Sequence, residues 1–335
     1  MKVAVVILNW NGRELLKEFL PSVVKFSPEA NIYVADNASS DDSVEFVSEH
    51  FPEIEIIQNK VNGGFAKGYN DALALLNEDV FVLLNSDVEV TKNWLKPLII
   101  HLKENPKTAV VQPKIMDYFR KEYFEYSGAA GGFLDKLGYP FCRGRIFDTL
   151  EKDEGQYDEV CNILWASGAC LVIRREVFNE VGGMDETYFA HQEEIDLCWR
   201  IHNLGYDLKF IPDSKVYHMG GATLNKMNPQ KTYLNFRNSL FNLLKNSSAK
   251  GLYFLIFSRL VLDGAAGIKF LLEGKFKHTL AIIRAHFGFY KRFFKIKQKR
   301  NLQTSRKKYA AVKSIVWQYY ILRKRSFNEL KFKRK

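Results

Sequence analysis

The chain has 335 residues, 47% of them hydrophobic, which is longer than an ordinary single domain and enough for a sizeable core, so one large globular domain with an appendage is expected. Its net charge of +11 divides unevenly: residues 1–225 hold 22 basic and 35 acidic side chains, whereas 226–335 hold 27 and 3, which points the tail toward membrane headgroups or nucleic acid. The four cysteines, Cys142, Cys161, Cys170 and Cys198, exclude a metal-finger or disulfide scaffold and predict reduced thiols, and no basic-then-apolar leader precedes the strand at Val3, so export is not expected.

VAVVILNWNGRELLKEFLPSVVK reads as a buried strand, a short polar turn and an amphipathic helix with Leu15, Leu16, Phe19 and Leu20 on one side. Ile32 to Ala35 repeats the strand and Asp36-Asn37-Ala38-Ser39-Ser40 the turn, and Asp41 or Asp42 can cap a helix through Val44, Phe46 and Val47. A third strand, Ile54 to Ile57, leads through Asn59, Asn62, Gly63 and Gly64 into a helix near Phe65; these are ordinary loop glycines or let helix N–H groups approach a phosphate or ribose. Val80 to Leu84 reads as a strand buried on both faces, after which Asn85, Ser86 and Asp87 turn the chain polar.

If these strands are parallel, Asn9 to Asn11, Asp36 to Asn37 and Asn85 to Asp87 converge on one edge, where open α/β sheets bind ligands. A nucleotide fits there, with Asp36 accepting from a base or ribose hydroxyl and Asp87 holding a divalent cation on the diphosphate. Taken alone, Asn-Ser-Asp is turn chemistry.

In their order, VVILNWNGRELL, VADNASSDDS, NGGFAKGYNDAL and LLNSDVEV resemble the nucleotide-sugar half of the family 2 inverting glycosyltransferases of GT-A fold, particularly the rhamnosyltransferase-like branch. The resemblance implies a mixed, mainly parallel sheet flanked by helices. It implies that Asn9, Trp10 and Asp36 line the base and ribose pocket and that Gly63, Gly64, Lys67 and Asn70 follow the ribose and diphosphate. Asp87 becomes the last position of the DxD metal motif, with Asn85 at its first position, which leaves one acidic ligand where stricter members have two.

Residues 92–160 start with an amphipathic helix (Trp94, Leu95, Leu98, Ile99, Leu102) and an AVVQP strand. Ser127 to Leu150, rich in glycine, reads as a loop or small β excursion whose Arg143 and Arg145 are solvated or face an anionic acceptor. Leu171 to Ile173 is a buried strand, Val177 and Phe178 start a helix stopped by Gly182-Gly183, and a second helix runs from Glu193 to Asn203, stopped by Gly205.

Glu193 and Glu194 at that helix start either offset the macrodipole, as Asp196 does, or supply a general base. Inverting transfer is one in-line displacement and needs a carboxylate to take the acceptor proton. Glu193-Glu194-Ile195-Asp196-Leu197 is similar to the family's acidic-Asp-x-Asp-Leu pattern, which implies Glu194 as base, Glu193 as the alternative and Asp196 in support. In relatives, Trp165, Ser167, Gly168 and Ala169 border sugar and acceptor. His218, before Met219-Gly220-Gly221, is a structural residue or resembles the histidine that closes over the diphosphate and supplies a second metal ligand suited to Mn²⁺.

KTYLNFRNSLFNLLKN resembles the family's post-catalytic helix, with Tyr233, Arg237 and Asn238; Arg237 faces an acceptor phosphate or lipid headgroup, or only caps carbonyls. Farther on, Arg259 and Asp263 interrupt the apolar run before about 20 residues accumulate, so an interfacial segment is expected rather than a spanning helix. The expectation is thus a catalytic domain over 1–246 and a basic, membrane-associating helical segment over 247–335. It would use a divalent cation (Mn or Mg), a dTDP- or UDP-sugar and a lipid-linked saccharide acceptor, at the cytoplasmic face of the cell membrane, in surface-polysaccharide synthesis. Rival readings are a nucleotidyltransferase making a sugar nucleotide and a non-catalytic basic adaptor on membrane or nucleic acid; no nucleic-acid-binding motif supports the latter.

Overall fold

Nearly unbroken burial along the first strands sets the architecture. In a computed structural model, which describes residues 1–220, 228–248, 250–300 and 307–332, the first half runs β1 (Val3–Asn9), α1 (Arg13–Phe26), β2 (Asn31–Asp36), α2 (Ser43–His50), β3 (Glu55–Gln58), α3 (Gly64–Leu73) and β4 (Val80–Asn85). β1 pairs in parallel with β2 and β4, and β2 with β3. The three polar strand ends therefore do reach one edge, with Asn9 opposite Asp36 and Leu8 opposite Asn85. Asp41, not Asp42, accepts from the Ser43 N–H at the start of α2.

Next come β5 (Val88–Val90), α4 (Leu95–Glu104), β6 (Thr108–Asp117), β7 (Gly132–Asp135), β8 (Pro140–Cys142), β9 (Arg145–Ile146), β10 (Thr149–Leu150), β11 (Cys161–Asn162), β12 (Cys170–Arg174), α5 (Arg175–Glu180), α6 (Glu193–Leu204) and β13 (Asp207–His218). β12 enters antiparallel between β4 and β6, so β4, although buried throughout, has one parallel and one antiparallel neighbour and the sheet is mixed. The main sheet runs β11-β13-β6-β12-β4-β1-β2-β3, with β5 paired to β13. Each face carries a core, as period-two side chains require: Val3, Val5 and Ile7 pack with α1, α2 and α4, and Ala4 and Val6 with α3, α5 and α6.

α7 (Pro229–Asn246) ends the expected catalytic region, the basic segment folds as α8 (Leu252–Leu272) and α9 (Phe276–Lys299), and then β14 (Ala310–Val312) returns to pair with β7. β14 completes a second sheet, β10-β9-β8-β7-β14, and Val312, Ile315 and Phe327 join the main core.

Candidate functional site

At the sheet edge, short side chains bond to one another across strand ends. Asn9 donates to Asp36 Oδ1 at 3.1 Å and Ser39 N–H donates to Asp36 Oδ2 at 2.9 Å, while Asn9 Oδ1 is buried with no hydrogen-bond partner. Asn37 donates to Asn62, whose carbonyl holds the Gly64 N–H at 2.9 Å. Trp10 is about half exposed beside this network. Lys67 is partly exposed and pairs with Asp71 at 2.8 Å, one turn along α3.

β5 pairs antiparallel with the end of β13, which puts Val88 opposite His218. His218 Nε2 thereby lies 3.1 Å from Asp87 Oδ1 and 3.5 Å from the Asn85 amide, and Nδ1 lies 3.4 Å from Glu125 Oε1. Burial opposes charge on this imidazole, but the two carboxylates outweigh it and raise its pKa to about 10. For Asp87, burial pushes upward and the imidazolium pulls further down, so its carboxyl stays below the usual range. Asp87 and His218 fit a divalent cation that keeps substrate oxygens as its other ligands, and Glu125 lies at ion-pair distance from the far ring nitrogen, which makes no hydrogen bond. Among the described residues no group of three or more His, Cys, Asp or Glu forms an all-protein cage.

The loop entering α6 is strained. Phe189, His191 and Gln192 all have left-handed backbone, with φ of 67°, 66° and 74°, which side-chain-bearing residues adopt only when the surroundings impose it. α7 imposes it. Asn238 donates to the carbonyls of Tyr188, Ala190 and His191 at 3.3, 3.0 and 2.7 Å, and Asn242 donates to Gln192. Lys245 bridges Asp185 and Asp196 at 2.7 and 2.9 Å, and Arg200 and Asn246 complete the shell around Asp196. From the other side, Phe65 N–H donates to the Phe189 carbonyl, and a Cβ on Gly64, itself at φ +83°, would collide with that carbonyl. Gly64 thus permits close backbone approach between α3 and this loop.

Out of that loop emerge Glu193, buried, with Oε2 lacking a partner, and Glu194, partly buried. Burial raises both acids: Glu193 well above its ordinary value, with the neighbouring Glu194 adding to it, and Glu194 to about 7. Contacts join this loop to the end of β4: Asn85 N–H donates to the Ala169 carbonyl at 3.0 Å, Gly168 sits against the Phe65 ring, and Phe65 N–H donates to the Phe189 carbonyl at 2.8 Å.

Several expected residues serve the scaffold. Asn70 uses its amide on both the carbonyl and the N–H of Met184 at 2.9 Å, and so ties α3 to the loop before α6. Arg237 is buried and donates to the Tyr188 carbonyl at 3.1 Å, the carbonyl-capping alternative. Trp165 is buried against Gly132 with its indole N–H on the Phe133 carbonyl, and Ser167 caps the Ala169 N–H; Gly168 leaves room for the Phe65 ring, and the Ala169 carbonyl accepts from Asn85. Arg143 and Arg145 correct the picture of solvated loop charges: both are buried, stacked over Tyr157 and Phe210 and over Tyr126. Gly221 lies outside the described residues, as do 301–306 and 333–335 of the basic run. The bridge from β6 also reveals Glu125, and the packing of α7 on the loop before α6 reveals the clamps Asn242 and Lys245, for which no local sequence signal existed.

A family model for "Glycosyl transferase family 2" matches residues 4–182. N-acetylglucosaminyl-diphospho-decaprenol L-rhamnosyltransferase of Mycobacterium tuberculosis is 26% identical over 230 residues, 64% of this chain and 75% of that protein. Low-salt glycan biosynthesis hexosyltransferase Agl10 of Haloferax volcanii is 23% identical over 290 residues, 84% and 88% of the two chains. Among solved structures, GalNAc-T7 with UDP, GalNAc and Mn²⁺ superimposes with a TM-score of 0.58 at 18% identity, over 74% of this chain and 48% of that one. The mannosyltransferase PcManGT from Pyrobaculum calidifontis, in complex with GDP-Man and Mn²⁺, gives 0.55 at 14% identity, over 86% and 87%.

Proposed function

Because the chain belongs to glycosyl transferase family 2 and is a glycosyltransferase of GT-A fold, we propose that it moves a sugar, rhamnose as the working case, from a dTDP- or UDP-sugar to a hydroxyl of a lipid-linked glycan, with inversion. The observation that carries the reading is the acid pair at the start of α6, launched from a strained loop that Phe65 ties back to the nucleotide edge of the sheet. The name of one relative, N-acetylglucosaminyl-diphospho-decaprenol L-rhamnosyltransferase of M. tuberculosis, supports this choice of donor sugar and acceptor.

In this reading Asp36 and the unpartnered Asn9 Oδ1 receive donor hydroxyls or base N–H groups, with Trp10 beside them. Asp87 and His218 hold a divalent cation, which when bound neutralises charge on the leaving diphosphate. Glu194, titrating near 7, takes the acceptor proton as that oxygen attacks the anomeric carbon from the face opposite the leaving group. Burial and the neighbouring Glu194 hold Glu193 well above the usual carboxyl range, which disfavours a second negative charge in the pair. Asp196, Asn238 and Arg237 fix the loop that aims Glu194. The segment after 246 docks on an anionic membrane at the cytoplasmic face, where the acceptor resides, and the product enters surface-polysaccharide synthesis.

Thermal shift against a panel of sugar nucleotides, with and without Mn²⁺, tests the donor half of the reading. A stabilisation specific to one dTDP- or UDP-sugar and strengthened by Mn²⁺ is expected, because a ligand that binds only the folded state raises its melting temperature. No shift with any sugar nucleotide would refute it.

A further inference from the structure

Helix α8 is built inside out. Its Arg259 and Asp263 bond to each other at 2.7 Å and point inward, where Arg259 also reaches the Leu137 carbonyl and Ser239 and Tyr139 donates to Asp263. The charges that interrupt the run in sequence are therefore absent from its outer face. That face presents Phe254, Phe257, Val261, Ile268 and Leu272 at three- and four-residue spacing, all exposed, Leu272 by 83%. α9 repeats the arrangement with Phe276, Leu280, Ile283, Phe287, Tyr290 and Phe294, of which Phe294 is 75% exposed. Ile268 and Leu271 of α8 and Ile283 of α9 line one groove between the helices, so the two stripes share a side.

A helix on a water-facing surface turns its apolar stripe inward. A continuous exposed apolar surface over two helices marks a partner instead. Charge decides which partner. Lys277, Arg284, Lys291 and Lys295 run beside the stripe of α9, and the ion pairs of the two helices engage Arg259, Lys269, Lys275, His286 and Lys299, leaving those four without an acidic partner among the described residues. A second copy of the chain would bring the same cations against them. An anionic lipid surface supplies the opposite charge and an apolar layer together.

We propose that the α8–α9 hairpin lies in the plane of an anionic bilayer, its apolar side sunk at the boundary of headgroups and acyl chains and those four cations at the lipid phosphates. Among the described residues no helix is long and apolar enough to cross a membrane, which fits an in-plane hairpin. The placement also serves the site. Gly288 of α9 packs against Tyr233 and Arg237 of α7, and Arg237 holds the Tyr188 carbonyl in the loop that launches Glu193 and Glu194. One helix thus separates the lipid surface from the acid pair, and a lipid-linked acceptor need not leave the membrane to reach it. This inference rests on the membrane-docking part of the function proposed above and names the surface that does it.

Flotation with liposomes tests it, using the full chain and vesicles of phosphatidylcholine with or without phosphatidylglycerol. Wild type is expected to float with the phosphatidylglycerol vesicles, and F254S/F257S/F287S/F294S to partition at least about tenfold less, since each buried aromatic contributes substantially to insertion. K277E/K291E/K295E should lose the preference for phosphatidylglycerol. Circular dichroism and sugar-nucleotide thermal shift of both variants should match wild type, because every altered side chain is outside the donor and acid sites. Equal flotation of the four-serine variant and wild type would overturn the inference, as would a wild-type dimer that ignores vesicles and becomes monomeric in that variant. A chain that floats as predicted but binds no sugar nucleotide of the panel would leave the hairpin standing and remove the proposed donor.

Discussion

Replacing Glu194 by Gln removes the proposed base while keeping its shape and its place at the start of α6. The rise of its pKa from an ordinary 4.5 to about 7 has two measurable consequences. For catalysis, kcat/KM of the wild type should fall about tenfold per pH unit below 7 and level off above it, and E194Q should lose about 10²- to 10⁴-fold and the inflection near 7 with it. For stability, a carboxyl whose folded pKa is raised stabilises the fold at low pH, and that contribution is lost as pH rises through the folded value. About 2.5 units at 1.36 kcal/mol each is on the order of 3 kcal/mol, an upper bound for a partly buried group. E194Q should therefore melt a few degrees above wild type at pH 8.5, and the difference should shrink toward pH 4.5. The assays are a pH–rate profile and paired thermal melts. A wild-type profile without an inflection near 7, or E194Q with undiminished turnover, would refute the assignment. E193Q separates the two acids: its amide should keep activity within a few-fold if Glu194 is the base, and a loss as large as that of E194Q would transfer the role to Glu193.

Other consequences follow from the clamps and the metal-facing pair. His218, raised to about 10 by its carboxylate neighbours, is protonated at neutral pH, so Mn²⁺ binding should release close to one proton per ion at pH 7.5, read by calorimetry in buffers of different ionisation enthalpy. E125Q should weaken Mn²⁺ by about 10-fold or more through the orientation of His218, and unchanged affinity would argue that Glu125 does not support it. Lys245→Met takes the shared cation from buried Asp185 and Asp196, which keep Lys299 and Arg200 respectively, and should cost up to about 3 kcal/mol in a denaturant titration. Asn238→Ala strips donors from three carbonyls of the strained loop and should destabilise by about 1–3 kcal/mol while lowering kcat more than donor KM; the reverse split would place Asn238 in donor binding.

What the sequence made legible was local. Strand-then-turn periods located Asp36, Asn85 and Asp87, and parallel pairing of β1, β2 and β4 follows from the helices between them, so the shared edge was predictable. The start of α6 at Glu193 and its stop at Gly205 were legible because caps are written in neighbouring residues. Glu125 was not, since it lies in an irregular stretch and meets His218 only where that stretch bridges β6 at Met116 and β6 pairs with β13. Arg143 and Arg145 looked like loop charges because nothing nearby in the chain announces Tyr157, Phe210 or Tyr126 as their cover. Arg259 and Asp263 looked like breaks in an apolar run, and only the turn of α8 shows that both face inward. The asparagines and lysine of α7 likewise gain meaning from a loop some 50 residues earlier.

The central claim is that Glu194 works across a cleft from Asp87 and His218 on an activated sugar. Incubating wild type and E194Q with Mn²⁺, the sugar nucleotide chosen by thermal shift and a lipid-linked acceptor, and following product by NMR, tests it directly. Acceptor-dependent release of a nucleoside diphosphate, a product of inverted anomeric configuration, and loss of both in E194Q are predicted. Retained configuration, or equal release by the variant, would contradict the account.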